Sequence, residues 1–161
     1  MTVLESYFHV RTATYNDIEA IAAITREGFL KYKELSPDSN PEALFETLQD
    51  IKKDIDTKIV LIAEKNKVPV GSLRVEINKD TNEAYLSRFA VKVSSQNNGI
   101  GKSLMNLVDE IMKKEGVKSI SLHTDSCVAS LVRFYYGRGF HIDSVDKSRG
   151  YTRAHLIKYY F

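Results

Sequence analysis

The hydrophobic pattern changes period at Gly99, and that switch limits the folds open to the chain. From Glu83 to Val93 the residues read as a β-run. Beyond Gly99, Ile100, Leu104, Met105, Val108, Ile111 and Met112 recur at the spacing of one helical face, and Gly116 stands where a C-cap is expected. Lys118 to His123 then returns to strand character. A strand, a helix and a strand in succession make a crossover unit, whose two strands lie parallel in one sheet.

The rest of the chain reads in the same terms. Phe8 to Ala13 alternates as a strand, and Thr14-Tyr15-Asn16-Asp17 offers an N-cap with an acidic residue three positions on. A helix follows with Ile18, Ile21, Ala22, Thr25 and Phe29 on one face, fading near Lys33. A second helix is expected after Ser39-Asn40, with Pro41 in its first turn and Leu44, Phe45, Leu48, Ile51 and Ile55 as its buried stripe. Lys58 to Lys65, Val70 to Ile77 and Glu83 to Val93 form an antiparallel meander. After the crossover come a helix from Ser126 to Tyr136 and strands from Phe140 to Val145 and Tyr151 to Tyr160. The expectation is an α/β (α+β) fold: a mixed sheet of about seven strands with helices on both faces, in one domain over residues 1–161.

Composition removes several classes of function. Lys+Arg 23 against Asp+Glu 21 leaves a formal charge of +2, too balanced to mark a nucleic-acid or membrane-surface binder, so any cationic site has to be local. The single cysteine, Cys127, has no partner within the chain, and nothing near Met1 reads as a leader; a soluble chain in a reducing cytoplasm is expected. Apolar runs such as Ile59 to Ala63 fall far short of the roughly 20 residues of a membrane span. His9, His123, His141 and His155 are scattered and match no zinc spacing, so no protein-bound metal is expected.

The segment at the period switch, Gln96-Asn97-Asn98-Gly99-Ile100-Gly101-Lys102-Ser103, has the chemistry of an anion site. Its glycines let the backbone approach a ligand, and the first N–H groups of the helix point outward at the positive end of its dipole. A Walker A loop would require glycine at position 96, where Gln stands, and a dinucleotide fingerprint would require Gly or Ala at position 104, where Leu stands. A phosphotransferase using Gly101-Lys102-Ser103 is therefore disfavoured. What remains is Gln-x-x-Gly-x-Gly over residues 96, 99 and 101, directly after a strand ending Phe89-Ala90-Val91-Lys92-Val93.

This arrangement resembles the acyl-CoA-binding motif of the GNAT acetyltransferases. The opening Val10-Arg11-Thr12-Ala13-Thr14-Tyr15-Asn16-Asp17 looks like that family's first strand running into its first helix. Phe134-Tyr135-Tyr136-Gly137-Arg138-Gly139-Phe140 looks like its aromatic-Tyr-x-x-x-Gly-Phe motif. The three motifs occur in family order and cover most of the chain.

The resemblance implies that the strands before and after the crossover splay apart and leave a slot for the pantetheine arm of acetyl-CoA, the implied co-substrate. Phe89, Ala90 and Val91 would line that arm. Gln96, Asn97, Asn98, Gly99, Ile100, Gly101 and Lys102 would hold the pyrophosphate, and Ser126, Ser130 and Phe134 would add contacts from the next helix. Tyr135 matches the family tyrosine that returns a proton to the departing thiolate; Tyr136, about 100° away on a helix, is the weaker candidate. Many relatives place a glutamate base where this chain has Tyr85, so Glu83, two residues earlier on the same strand face, is the substitute, with Asp125 as the other carboxylate at hand. Val128 replaces an asparagine that often contacts the arm. His123 and Cys127 are four apart but belong to a strand and a separate helix, which argues against a thiol mechanism.

The acceptor pocket implied by the family lies between Gly28 to Asn40 and Ser144 to Arg153. Its Lys31, Tyr32, Lys33, Glu34, Asp38, Arg149, Tyr151 and Arg153 show no dominant charge, so the acceptor is a small molecule or peptide amine. The expected activity is direct acetyl transfer to a primary amine. The alternative is a non-catalytic acyl-CoA sensor or protein-interaction module on the same scaffold, suggested by Tyr85 and Val128. The aromatic end Tyr159-Tyr160-Phe161 either completes the core or pairs with a second subunit, dimers being common in the family.

Overall fold

The computed structural model describes residues 8–161; the opening residues, where no leader pattern was read, lie outside it. Strand β1 (Phe8–Thr12) leads into helix α1 (Ile18–Leu35); α2 (Leu48–Thr57), β2 (Ile59–Lys65), β3 (Val68–Asn78) and β4 (Glu83–Val91) follow. The crossover helix α3 (Ile100–Lys114) connects β4 to β5 (Ser119–Asp125), and α4 (Ala129–Gly137), β6 (His141–Asp146) and β7 (Arg153–Tyr159) complete the chain. The strands form one mixed seven-stranded sheet in the order β1-β2-β3-β4-β5-β7-β6. Only β4 and β5 pair in parallel, as the crossover requires.

The sheet separates its residues cleanly by face. Leu61, Ala63, Leu73, Val75, Ala84, Leu86, Ile120, Leu122, Ala154 and Leu156 point to one side and form the main core with Ile100, Leu104, Met105, Val108 and Met112 of α3. Val60 and Ile62 point to the other side and pack with Ile21 of α1 and Ile51 of α2. Because β2 is covered on both faces, its unbroken run Val60 to Ala63 replaces the alternation of a half-exposed strand. Helix α3 ends as expected: Gly116 takes φ +68°, and Val117 N–H returns to Met112 O at 3.0 Å, closing a Schellman cap.

The expected second helix is interrupted. Glu42–Phe45 forms a 3₁₀ turn, Glu46 is extended, and α2 begins only after Thr47, whose hydroxyl accepts from Asp50 N–H while Asp50 accepts from Thr47 N–H. That capping box starts a new helix, so Phe45 (71% exposed) and Leu48 (50% exposed) leave the buried stripe to which Ile51 and Ile55 belong.

Helix α1 lies on β3 and β4. Its Gly28 permits the approach: a Cβ there would stand 2.7 Å from the Ala90 Cβ. Gly28→Ala is therefore expected to lower stability by about 1–2 kcal/mol, because forcing the helix off the strand outweighs the better helix propensity of alanine. Urea unfolding checks this; an unchanged or raised midpoint would show that α1 shifts freely.

Candidate active site

The parallel pairing of β4 and β5 covers only Glu83–Tyr85 against Ser119–Ser121. Past it the strands part, and a cleft of about 1010 Å³ opens, lined by Leu86–Val91 of β4 and Leu122–Thr124 of β5. A β-bulge shapes the β4 wall: the register against β3 slips by one residue between Ser72 and Arg74, with Arg88 at φ +53°. The extra residue inverts the alternation. Ala90 consequently faces α1, whereas Phe89 faces α3 and α4, with its ring 5.9 Å from Phe134 and 6.5 Å from Tyr135.

The loop at one end of the cleft has the geometry that its composition suggested. Asn97 (φ +66°) and Gly99 (φ +82°) turn the chain, and Gln96 Nε2 donates to Val91 O at 3.0 Å, tying the loop to the end of β4. Val93 N–H donates to Glu27 of α1 at 2.8 Å. The first helical bond of α3 is Ser103 N–H to Gly99 O, so the N–H groups of Ile100, Gly101 and Lys102 have no carbonyl ahead of them and form a donor set for an anion. A Cβ on Gly101 would meet the Phe89 ring at 3.3 Å, whereas one on Gly99 would meet nothing within 4 Å. At position 101 glycine makes room for the aromatic wall; at position 99 it supplies the left-handed turn. Gln96, Asn97, Gly99, Gly101, Lys102, Phe89, Ala90 and Val91 line the cleft. Asn98 is exposed outside it, and the side chain of Ile100 is buried in the core.

Helix α4 begins at Ala129, three residues later than its sequence suggested, because Asp125 captures the turn ahead of it: Cys127 N–H donates to its carboxylate at 2.9 Å. Ser126 is thereby withdrawn from the cleft, with its N–H on Thr152 O at 2.8 Å, while Ser130 and Phe134 do line it. Val128 is buried at the N-cap. Tyr135 is 8% exposed, packed between Phe134 (5.3 Å) and Phe140 (5.6 Å), and reaches the cleft. Burial raises its phenol well above the usual range, and the nearby Tyr32 adds to the effect.

Neither sequence-derived carboxylate is placed as a base. Glu83 is exposed at the start of β4, in the paired part of the strands, and does not line the cleft. Asp125 is saturated: Ser36 Oγ (2.5 Å), Thr152 Oγ1 (2.8 Å) and Cys127 N–H donate to its carboxylate. Burial opposes its ionisation, but these donors outweigh that and hold it below the usual carboxylate range. Asp125 thus joins the end of α1 to β5 and β7.

Sequence reasoning missed the polar floor that lies between them. Tyr85, His123, His155 and Arg153 share the sheet face that α1 and α2 cover farther along, and over β5 and β7 this face carries polar side chains instead of a core. The Tyr85 hydroxyl lies 2.6 Å from His123 Nδ1, the His123 and His155 rings are 5.0 Å apart, and His155 Nδ1 lies 3.2 Å from the exposed Asp143. Burial, then Arg153, His155 and Arg149, lower the His123 pKa to about 4. The ring is neutral at pH 7, and in the tautomer protonated at Nε2 its Nδ1 accepts from the phenol, whose pKa burial raises. The alternation Ser121-Leu122-His123 was the available signal, with polar residues on the face opposite the core.

An NMR titration of the His123 ring is expected to show a midpoint of about 4 instead of the ordinary 6.5; a midpoint above 6 would refute the lowered pKa. The same shift destabilises the fold as pH falls from 6.5 towards about 4, where the unfolded chain takes up a proton that the folded chain refuses.

No described helix is long and apolar enough to cross a membrane, and among the described residues no His, Cys, Asp and Glu are grouped to hold a metal ion.

A cleft between parting parallel strands, with the free N–H groups of a helix N-terminus at one end, is the architecture of an acyltransferase-type fold. Residues 21–140 match the model of the acetyltransferase (GNAT) family, and the chain belongs to that family. It is 29% identical over 136 residues to the uncharacterised protein YyaT of Bacillus subtilis, covering 84% of each. Among solved structures, the PaiA N-acetyltransferase of Thermoplasma acidophilum in complex with coenzyme A superposes with a TM-score of 0.83 at 21% identity, over 96% of this chain and 99% of that one. A spermidine N-acetyltransferase chimera from Vibrio cholerae gives a TM-score of 0.76 at 15% identity over 96% of each chain.

Proposed function

We propose that this protein is an acetyl-CoA-dependent N-acetyltransferase that acetylates a primary amine by direct transfer. The carrying observation is that one cleft joins three parts: the head of α3 at Gly101 and Lys102, with its free N–H groups, the stretch of β4 from Leu86 to Val91 that β5 leaves unpaired, and the buried Tyr135. When bound, acetyl-CoA supplies the acetyl group as a thioester. The α3 N-terminus and Lys102 suit its pyrophosphate, and the open edge of β4 at Phe89 and Val91 suits its pantetheine amides.

Transfer breaks the C–S bond and forms a C–N bond; the amine loses one proton and the departing thiolate gains one. Tyr135 supplies the second proton. Its raised pKa keeps the phenol protonated until negative charge develops on sulfur, and its aromatic surroundings keep water from competing. Tyr85 and His123 receive the first: the Tyr85 hydroxyl accepts from the amine as it passes its own proton to His123 Nδ1, and the half-buried His123 ring, which lines the cleft, releases a proton to solvent there. Tyr85 therefore takes the place of the glutamate base, which removes the main reason for a sensor reading.

Calorimetric titration with acetyl-CoA, CoA and ATP plus Mg²⁺ tests this reading. Micromolar affinity for both CoA species, about −8 kcal/mol, with no heat from ATP is expected; absence of CoA binding overturns it. With an acceptor in hand, Tyr85→Phe and His123→Gln are each expected to lower kcat by about 10²-fold with acetyl-CoA affinity unchanged.

A further inference from the structure

We propose that the acceptor is a primary amine carrying an oxyanion, either carboxylate or phosphate, and that Arg149 and Arg153 seat that oxyanion beside Tyr85. This rests on the reading of the cleft as an N-acetyltransferase site.

Both arginines line the cleft that holds Tyr85, His123 and Tyr135. Arg153 opens β7, and Arg149 stands in the hairpin between β6 and β7. Among the described residues neither is ion-paired. For Arg153 this is notable because two carboxylates stand in register with it, Asp125 on β5 and Asp146 on β6. Both are engaged elsewhere. Asp125 is held by Ser36, Thr152 and Cys127, and Asp146 accepts from Ser148 N–H and Ser148 Oγ, each at 2.8 Å.

Besides Asp125, two carboxylates at this end have no ion pair among the described residues, Glu42 in the cleft lining and Asp146, which feels the charge of both arginines; the rest are paired within the chain. Arg88 is bound to Glu46 at 3.2 Å, and Glu76, across from Tyr85 on β3, pairs with Lys58 together with Asp54. Arg149 and Arg153 hold no carboxylate by hydrogen bond, and both lower the pKa of Tyr85 and of His123. A guanidinium in this position favours the neutral form of an amine held against it. A planar guanidinium matches a carboxylate or phosphate through paired N–H donors.

The test is acetyl-CoA turnover, followed by thiol release, on matched panels. These comprise the proteinogenic amino acids, their decarboxylated amines and carboxamides, phosphoethanolamine, and spermidine. An oxyanion-bearing amine is expected to lead its uncharged or cationic counterpart by about ten- to a hundredfold in kcat/KM, the worth of hydrogen bonds to a charged group. The amino acids and phosphoethanolamine separate the two sources of oxyanion.

Arg153→Gln and Arg149→Gln are expected to remove that preference through KM, with kcat and acetyl-CoA affinity little changed. Arg149 is exposed, so its variant keeps the test open if Arg153→Gln fails to fold. Preference for spermidine or the decarboxylated amines, or variants that keep the preference, would overturn the acceptor class. Acetyl-CoA binding without turnover of any oxyanion-bearing amine would also overturn it, with the cofactor reading intact. Absence of acetyl-CoA binding would overturn the reading beneath it, and the acceptor class with it.

Discussion

Tyr135→Phe is expected to lower kcat for acetyl transfer by about 10²–10⁴-fold while leaving acetyl-CoA affinity and the unfolding midpoint nearly unchanged. The substitution removes one oxygen. The ring keeps its edge contacts with Phe134 and Phe140, and among the described residues the phenol has no hydrogen-bond partner whose loss would weaken the fold. What disappears is the acid nearest the aromatic wall, in a site where burial has already made it reluctant to ionise. Tyr136→Phe is the matched control: that residue is half exposed, and its hydroxyl only accepts from Ile142 N–H at 3.1 Å. Single-turnover measurement of both variants decides the matter, and a loss below tenfold in Tyr135→Phe would remove the tyrosine from the chemistry.

The largest expected effect on stability is at Arg74. This arginine is 0% exposed on β3, forms a two-pronged pair with Glu46 (2.7 Å on each arm) and bonds Asp54 at 2.9 Å. Burial alone would disfavour its charge, but the two carboxylates outweigh that and raise its pKa. Arg74→Leu is expected to cost about 3–5 kcal/mol, because it leaves the buried Glu46 carboxylate with only the longer 3.2 Å contact to Arg88 and removes the arm on Asp54. Urea unfolding reads the loss directly. Combining it with Glu46→Leu is expected to recover much of the stability, as replacement of a whole buried pair by apolar residues does; a double variant no better than the single one would show that geometry, not stranded charge, sets the cost. Glu46 also holds Arg88 at the β4 bulge, so this ion cluster ties the start of α2 to the strand that shapes the cleft.

Much of the architecture was legible because it depends on near neighbours. The stripe of α3, the glycine cap at Gly116, the meander and the crossover all follow from periodicity and capping over a few residues. Gly99 and Gly101 announced the turn at the head of α3 for the same reason. The interruption before α2 was written as Thr47-x-x-Asp50, but the apolar spacing of Leu44, Phe45 and Leu48 reads through it, and only the observed exposure of Phe45 shows which signal prevails.

The sequence by itself thus determined the order of elements, the crossover, the glycine turn at the head of α3 and the aromatic helix that carries Tyr135, since each is encoded in residues close along the chain. Tertiary structure alone decided the chemistry of the floor. The bulge at Arg88 has no glycine or proline to mark it, and it is what turns Phe89 to the aromatic wall. Tyr85 and His123 are 38 residues apart and meet because β4 and β5 pair for three residues before parting. Arg153 is free because the carboxylates in register with it are held by Ser36, Thr152, Cys127 and Ser148. Strand register sets which side chains share a face, and competition among hydrogen bonds across that face sets which charges remain available, so neither is visible until the strands are paired.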